Sequence, residues 1–320
     1  MTPISRWLKV AATVFTLSAA TGVSAQSVGI VTMPAGSFTN SAVSAIAKVV
    51  GDHAKIRAIV QAQAGIGFEE VESRVADFNA VNSFDATFYT TGTGDYAGQG
   101  AKSSIRHIAT FMPLRVAMHV RSDSPIKTMA DLKGKRVSSD FNAMKTIARI
   151  IEAHLANAGL GWNDVSRVPA PQVVRQAEDF MSGRVDVLFF ALGSASVKQA
   201  NASVGGVRVL EVNPSPEAMK RVRELLPGAY ATVVNPNPTL EGISKPTQLL
   251  AFDFVMIANA KVADDTVYRM VKALYENKAD LMATFPPMAL FDPKGMAKPV
   301  ESVPMHPGAI KFYKEVGLLN

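Results

Sequence analysis

Apolar positions along this chain switch between two periods in a regular order. Residues 28–33 form a short apolar run, Pro34, Ala35, Gly36 and Ser37 make a loop, and Val43, Ile46 and Val50 then recur at helical spacing. Residues 56–63 read as a second strand that ends at Ala64, Gly65, Ile66 and Gly67. Phe68, Val71 and Val75 mark the next helix, and residues 77–82 the next strand. A strand–helix–strand–helix–strand order predicts a mainly parallel sheet covered on both faces.

The same order returns further along. Residues 135–138 predict a strand, Phe141 and Asn142 a loop, and Ile147, Ile151, Leu155 and Ala158 a helical stripe. Residues 165–169 are a further strand, Val174, Ala177 and Met181 a helix, and residues 186–192 a strongly apolar strand. Residues 73–78 (SRVADF) resemble residues 182–187 (SGRVDV): each leaves a helix through an arginine and enters a core strand through an aspartate. Two copies of one architectural unit follow from this. Between them, residues 105–121 are β-prone and long enough to leave one domain and enter the other. Residues 249–260 form a second long apolar strand, followed by a helix with Val267, Met270, Val271, Leu274 and Leu281 on one face. That strand is expected to rejoin the first domain, giving two crossings between lobes and a route to hinge closure. The proline-rich stretch 286–307 is expected to wrap the surface.

The beginning of the chain changes the picture from fold to compartment. Arg6 and Lys9 precede an apolar run over residues 10–20, and Val23, Ser24 and Ala25 form a small-residue cleavage signal. The run is shorter than the ~20 residues a membrane-spanning helix needs. Residues 1–25 therefore read as a signal peptide, with the mature protein beginning at Gln26. Charged residues are 19% and hydrophobic ones 48%, which predicts a globular chain. The formal charge of +6 falls by two when Arg6 and Lys9 leave, and no basic run exists, so nucleic acid is not an expected partner. Cysteine is absent, which removes disulfides, thiolate metal ligands, a cysteine nucleophile and a lipid-anchoring cysteine. An exported protein without an anchor is expected in a periplasm, as a monomer.

No catalytic pattern emerges from the motifs. Gly-x-Ser-x-Gly, His-Glu-x-x-His and the P-loop are missing. His53, His107, His119, His154 and His306 are scattered, with no pair at ligand spacing, and read as structural. Glu69 with Glu70 and Asp264 with Asp265 sit where helices begin and favour the helix dipole. Neither a metal site nor a cofactor is expected. What remains is a set of loops where strands end and helices start: residues 36–40, 64–67, 139–142 and 191–194. Ligands in open α/β sheets bind beyond the carboxyl ends of strands, where helix amino termini offer free N–H groups suited to a carboxylate. The candidate ligand-binding residues are Ser37, Phe38, Thr39, Gly65, Ile66, Gly67, Asn82, Ser139, Phe141, Asn142, Ala191 and Gly193. Gly65 and Gly67 are expected to let backbone donors approach the ligand, with Phe38, Phe141 and Phe190 supplying apolar walls.

Several segments carry a family resemblance. They include residues 115–124, the stretch DLKGKRV at 131–137, LANAGL at 155–160, DFMSGRVD at 179–186, and HPGAIKFYKE at 306–315. With these the chain resembles the TAXI-type solute-binding proteins of TRAP (tripartite ATP-independent periplasmic) transporters. The resemblance implies a type II-like periplasmic-binding-protein fold of class α/β, each lobe a mainly parallel sheet flanked by helices, with hinge strands between. Residues 26–118 and 250–320 would form the first lobe and residues 119–249 the second. It implies integral membrane subunits as partners, an ion gradient rather than ATP as the driving force, and small carboxylates such as glutamate, 2-oxoglutarate or a dicarboxylate as ligands. Many members carry Thr-Gly-Gly-Ser and a nearby asparagine where this chain has Ala64, Gly65, Ile66, Gly67 and Glu70, so two hydroxyl donors are absent. Two alternatives stand beside this reading: an enzyme on the same scaffold, and a binding protein for an ABC importer or a sensor.

Overall fold

The computed structural model describes residues 27–320; the expected signal peptide, residues 1–25, and its expected cleavage site lie outside them. The chain opens with β1 (Ser27–Thr32), α1 (Phe38–Val49), β2 (Arg57–Ala62), α2 (Phe68–Glu72), β3 (Phe78–Asn82) and α3 (Ser83–Thr91). Ser37 caps α1 by accepting from the Asn40 N–H at 3.1 Å, a bond of about 1 kcal/mol. Ala42, Val43, Ala45, Ile46 and Val49 form the buried face of that helix. α2 is shorter than its pattern implied. Arg74 takes a left-handed backbone (φ 65°) just past its end, and Val75 lies 67% exposed instead of packing as a helical position.

β4 (Ile105–Arg121) then carries the chain into a second set of elements: β5 (Arg136–Asp140), α4 (Lys145–Asn157), β6 (Ser166–Ala170), α5 (Val173–Met181), β7 (Leu188–Ala191), α6 (Ala195–Ser203), β8 (Val207–Leu210), α7 (Pro216–Leu225) and β9 (Tyr230–Val234). β10 (Thr247–Asn259) returns it, and α8 (Asp264–Glu276), α9 (Lys278–Thr284) and α10 (Pro307–Glu315) close the chain. Leu281 belongs to α9, a separate helix after Asn277, and not to the face of α8.

The sheet is mixed rather than mainly parallel. β2, β1 and β3 pair in parallel, but β10 is antiparallel to β3, β4 and β9, and β4 is antiparallel to β7 and β8. The cause is topological. β4 and β10 are long strands that run in opposite senses between the two lobes and lend one half to each. Both are buried along nearly their whole length because both faces are covered. Asp253 is the one charged residue of β10, and Lys298 meets it at 2.6 Å. A parallel pair, β5 with β6, forms a separate two-stranded sheet in the second lobe.

The repeated helix-to-strand junction is one device used twice. Asp77 accepts from the Gly29 N–H at 2.8 Å and donates its own N–H to the Gly29 carbonyl. Asp186 does the same with the Arg136 backbone, at 2.8 Å and 2.9 Å. Three residues before each aspartate the backbone is left-handed, at Arg74 (φ 65°) and Gly183 (φ 74°). Each aspartate thus clips the start of one core strand to the start of its neighbour. Asp77→Ala and Asp186→Ala are each expected to lower stability by about 1–3 kcal/mol, since a strand N–H loses its charged acceptor. Urea unfolding reads the change, and midpoints equal to wild type would remove the clip from the account.

The proline-rich stretch is not a surface wrap. Its prolines start two 3-10 turns, Pro286–Leu290 and Pro293–Gly295, and Met288, Phe291 and Met296 are buried. Phe291 packs 5.4 Å from Phe111 of β4, and the Met296 carbonyl accepts from the Thr110 N–H. The segment seals the first lobe against its hinge strand.

Candidate functional site

β1, β3 and β7 all end at one place between the lobes, and α1, α3 and α6 begin there. Their capping residues Ser37, Asn82 and Ser194 line an inner chamber of about 40 Å³. The chamber wall is otherwise apolar. Met33 and Phe190 come from the strand ends, Phe38 from the start of α1, Leu114, Val116 and Phe252 from the two hinge strands, and Ile147, Ile150 and Val173 from the second lobe. Thr39 and Ala191 complete its rim, with the Thr39 hydroxyl 3.4 Å from the Met33 sulfur.

An outer chamber of about 330 Å³ spans the same cleft further out. Gly65, Ile66, Gly67, Glu69 and Glu70 form its first-lobe wall, joined by Asp95, Tyr96 and Gln99, while Asn142, Ala143 and Lys145 face them from the second lobe.

Polar contacts tie the lobes together around these chambers. Asp85 of α3 is buried, and both of its carboxylate oxygens lie 2.8 Å from the Thr146 hydroxyl of α4, which donates to them. The Asn82 amide donates to Asp85 at 2.7 Å. Burial pushes the Asp85 carboxyl up to about 7; the bonds from Thr146 and Asn82 and the charge of Arg149 pull the other way. Arg149 pairs with Asp95 at 2.5 Å and lies over the Phe88 ring. Ser196 donates through both its N–H and its hydroxyl to the Gly36 carbonyl. The cleft is closed.

The twelve residues expected from sequence divide three ways. Ser37, Phe38, Thr39, Asn82 and Ala191 line the inner chamber, and Gly65, Ile66, Gly67 and Asn142 the outer one. Ser139, Phe141 and Gly193 are not among the residues lining either. Ser139 is buried and donates to Asp140, and Phe141 is fully buried in the core. Gly193 turns with φ 79° against Pro287, where a Cβ would come within 2.7 Å. The hinge-strand wall, the Asp85–Thr146 contact and the Asp95–Arg149 pair were not anticipated. A lone carboxylate in the apolar helix SFDATFYTT was the available signal for Asp85.

Gly67 and Gly65 play different parts. A Cβ on Gly67 would meet Val31 at 2.8 Å and Asn79 at 2.9 Å, at φ 93°, so this glycine serves the packing of its own lobe. A Cβ on Gly65 would have Ala143 of the opposite lobe as its nearest neighbour, at 3.7 Å. Gly67→Ala is therefore expected to destabilise the protein by more than about 1 kcal/mol. Gly65→Ala should stay within about 0.5 kcal/mol. Thermal unfolding of both variants checks the difference, and equal losses would contradict it.

The histidines serve structure. His306 caps α10 by accepting from the Gly308 N–H, and its other nitrogen meets the Val262 carbonyl at 3.1 Å. His107, His119 and His154 are fully buried, each held at about 4 by burial. His53 is the outer one, 2.7 Å from Asp280.

A model of the NMT1-like family matches residues 32–317. Among solved structures, the periplasmic binding protein BugD is 15% identical with a TM-score of 0.60, over 92% of this chain and 98% of its own. A structure described as a periplasmic transporter is 13% identical with a TM-score of 0.59, over 92% and 94%. The ligand binding component of an ABC-type import system from Staphylococcus aureus, with zinc bound, is 9% identical with a TM-score of 0.53, over 92% and 93%. These likenesses carry the fold: a two-lobed α/β periplasmic-binding-protein architecture with a mixed sheet and flanking helices.

Proposed function

The chain belongs to the NMT1-like family, and from that premise we propose that it is a periplasmic solute-binding protein, not an enzyme. It takes up a small organic anion by closing two lobes and presents it to a membrane transporter. One observation carries the reading: three strand ends, each followed by a helix amino terminus, converge on a single chamber between lobes that two hinge strands connect. Free N–H groups at helix starts suit a carboxylate or similar anion. Residues 26–118 and 250–320 are taken as the first lobe and residues 119–249 as the second, so that β4 and β10 pass between lobes near Val116 and Leu250, which pair with one another.

The finer reading is a TAXI-type protein serving a TRAP transporter, supported by the sequence segments from residue 115 to 315. Delivery to an ABC importer is the second reading, supported by the description of the Staphylococcus aureus neighbour as part of an ABC-type import system. Genes next to this one separate the two: TRAP membrane subunits in one case, an ATP-binding subunit in the other.

Mass spectrometry of solute released from the purified protein, followed by scattering with and without that solute, tests the core of the proposal. A small anion and a radius of gyration that falls on binding are expected. Release of a cation or a neutral solute, or superimposable scattering curves, would refute it.

A further inference from the structure

The inner chamber has no charged side chain among its fifteen lining residues, and eleven of them are apolar. Its four polar groups, Ser37, Thr39, Asn82 and Ser194, all sit where β1, β3 and β7 give way to helices. The polar groups are therefore gathered at the strand ends, and the rest of the wall is hydrocarbon and aromatic ring. We propose that the ligand is an organic monoanion with an apolar body, and that the cleft rejects dicarboxylates. This rests on the reading of the cleft as an anion-binding site and narrows it.

The argument is one of charge placement. A second carboxylate reaching the inner wall would be stripped of water without a cation to meet it. Arg149, a cation of α4, is already committed to Asp95 at 2.5 Å and to the Phe88 ring. A second carboxylate turned toward the outer chamber would face Glu69 and Glu70 against the single cation Lys145. Neither direction offers a surplus of positive charge. An apolar body, by contrast, meets Met33, whose flexible thioether adapts to shape. The chamber is small, about 40 Å³. A short branched or compact body is thus favoured, and anything larger enters by parting the walls.

Calorimetry on ligand-stripped protein tests this with isovalerate, 3-methyl-2-oxobutanoate and benzoate on one side, and succinate, glutarate, 2-oxoglutarate and glutamate on the other. At least one monocarboxylate is expected to bind tenfold or more tightly than every dicarboxylate. Phe190→Leu, which widens the chamber, should move the preference toward benzoate and leave the dicarboxylates excluded. A dicarboxylate that binds as well as the best monocarboxylate overturns the inference and leaves the anion-binding function standing. Failure of every monocarboxylate to bind a folded protein overturns it too, as does an unchanged preference in folded Phe190→Leu. Failure of the function itself reads differently, as release of a cationic or neutral solute in the mass-spectrometric experiment.

Discussion

At pH 8, Asp85→Asn is expected to be more stable than the wild-type protein by roughly 2–4 kcal/mol, and the gap should narrow steadily as pH falls below 7. The reason is that Asp85 is buried where α3 meets Thr146 of the other lobe. Burial raises its carboxyl from an ordinary 3.8 to about 7, and the neighbouring Asp95 adds to the rise. The folded protein therefore holds this proton more tightly than the unfolded chain does. Stability from the raised pKa is complete below about 3.8, is lost as pH climbs toward 7, and changes no further beyond. A difference of about three pH units corresponds to roughly 4 kcal/mol, since each unit is worth ~1.4. Asparagine fits the same bonds without the charge: its amide N–H can donate to Thr146 and its oxygen can accept from Asn82. Because Thr146 comes from the opposite lobe, parting the lobes would return Asp85 to water. The variant should thus also favour the closed form at pH 8 without ligand, with a smaller radius of gyration. Urea unfolding from pH 5.5 to 8.5 decides the matter, since the gap should shrink by about half toward the acid end, and parallel curves for the two proteins would sink the idea.

Elements with a one-sided apolar pattern were legible in the chain; the cleft walls supplied by the hinge strands and by α4 were not. β4 spans residues 105–121 as its mostly β-prone composition implied, and Ile147, Ile151 and Leu155 of α4 are buried as their spacing required. Loops at strand ends were legible because glycine, serine and asparagine mark them, and nine of the twelve proposed residues line a chamber. Leu114, Val116, Ile150 and Phe252 were not legible. In sequence, an apolar residue facing a cavity looks the same as one facing a packed core. Phe141 shows the converse: its loop position suggested a cleft wall, yet a left-handed turn (φ 41°) goes with its burial in the core. Asp95 and Arg149 lie 54 residues apart, and only the tertiary fold brings them together. The aspartate clips stand between these cases. Their sequence likeness was visible, whereas the bond each makes to a neighbouring strand required the sheet.

Acid unfolding below pH 5.5 is the other large effect expected, and the buried histidines are its source. His107, His119 and His154 each fall from an ordinary 6.5 to about 4, because burial disfavours the charged ring. A lowered histidine pKa means that the folded protein takes up the proton less readily than the unfolded chain. Stability is complete above about 6.5 and is lost as pH falls toward 4. Each ring accounts for up to roughly 3.4 kcal/mol over that window. Asp85 works against them, because its stabilisation returns as pH falls. Three histidines against one aspartate still leave a net loss of about 2.7 kcal/mol per pH unit. Two units of that slope match the lower part of the ~5–15 kcal/mol stability of ordinary domains, which places the transition between about pH 4 and 5.5. His119 and His154 should unfold the second lobe together, since each ring donates an N–H to a backbone carbonyl of that lobe and the charge of His154 makes His119 harder to protonate. His154→Gln keeps a donor for the Ile150 carbonyl and removes one titrating site. The net proton uptake on unfolding, read from the slope of stability against pH between 4.5 and 6, should fall from about two to about one. A slope unchanged in that variant would show that the buried ring at position 154 does not drive the transition.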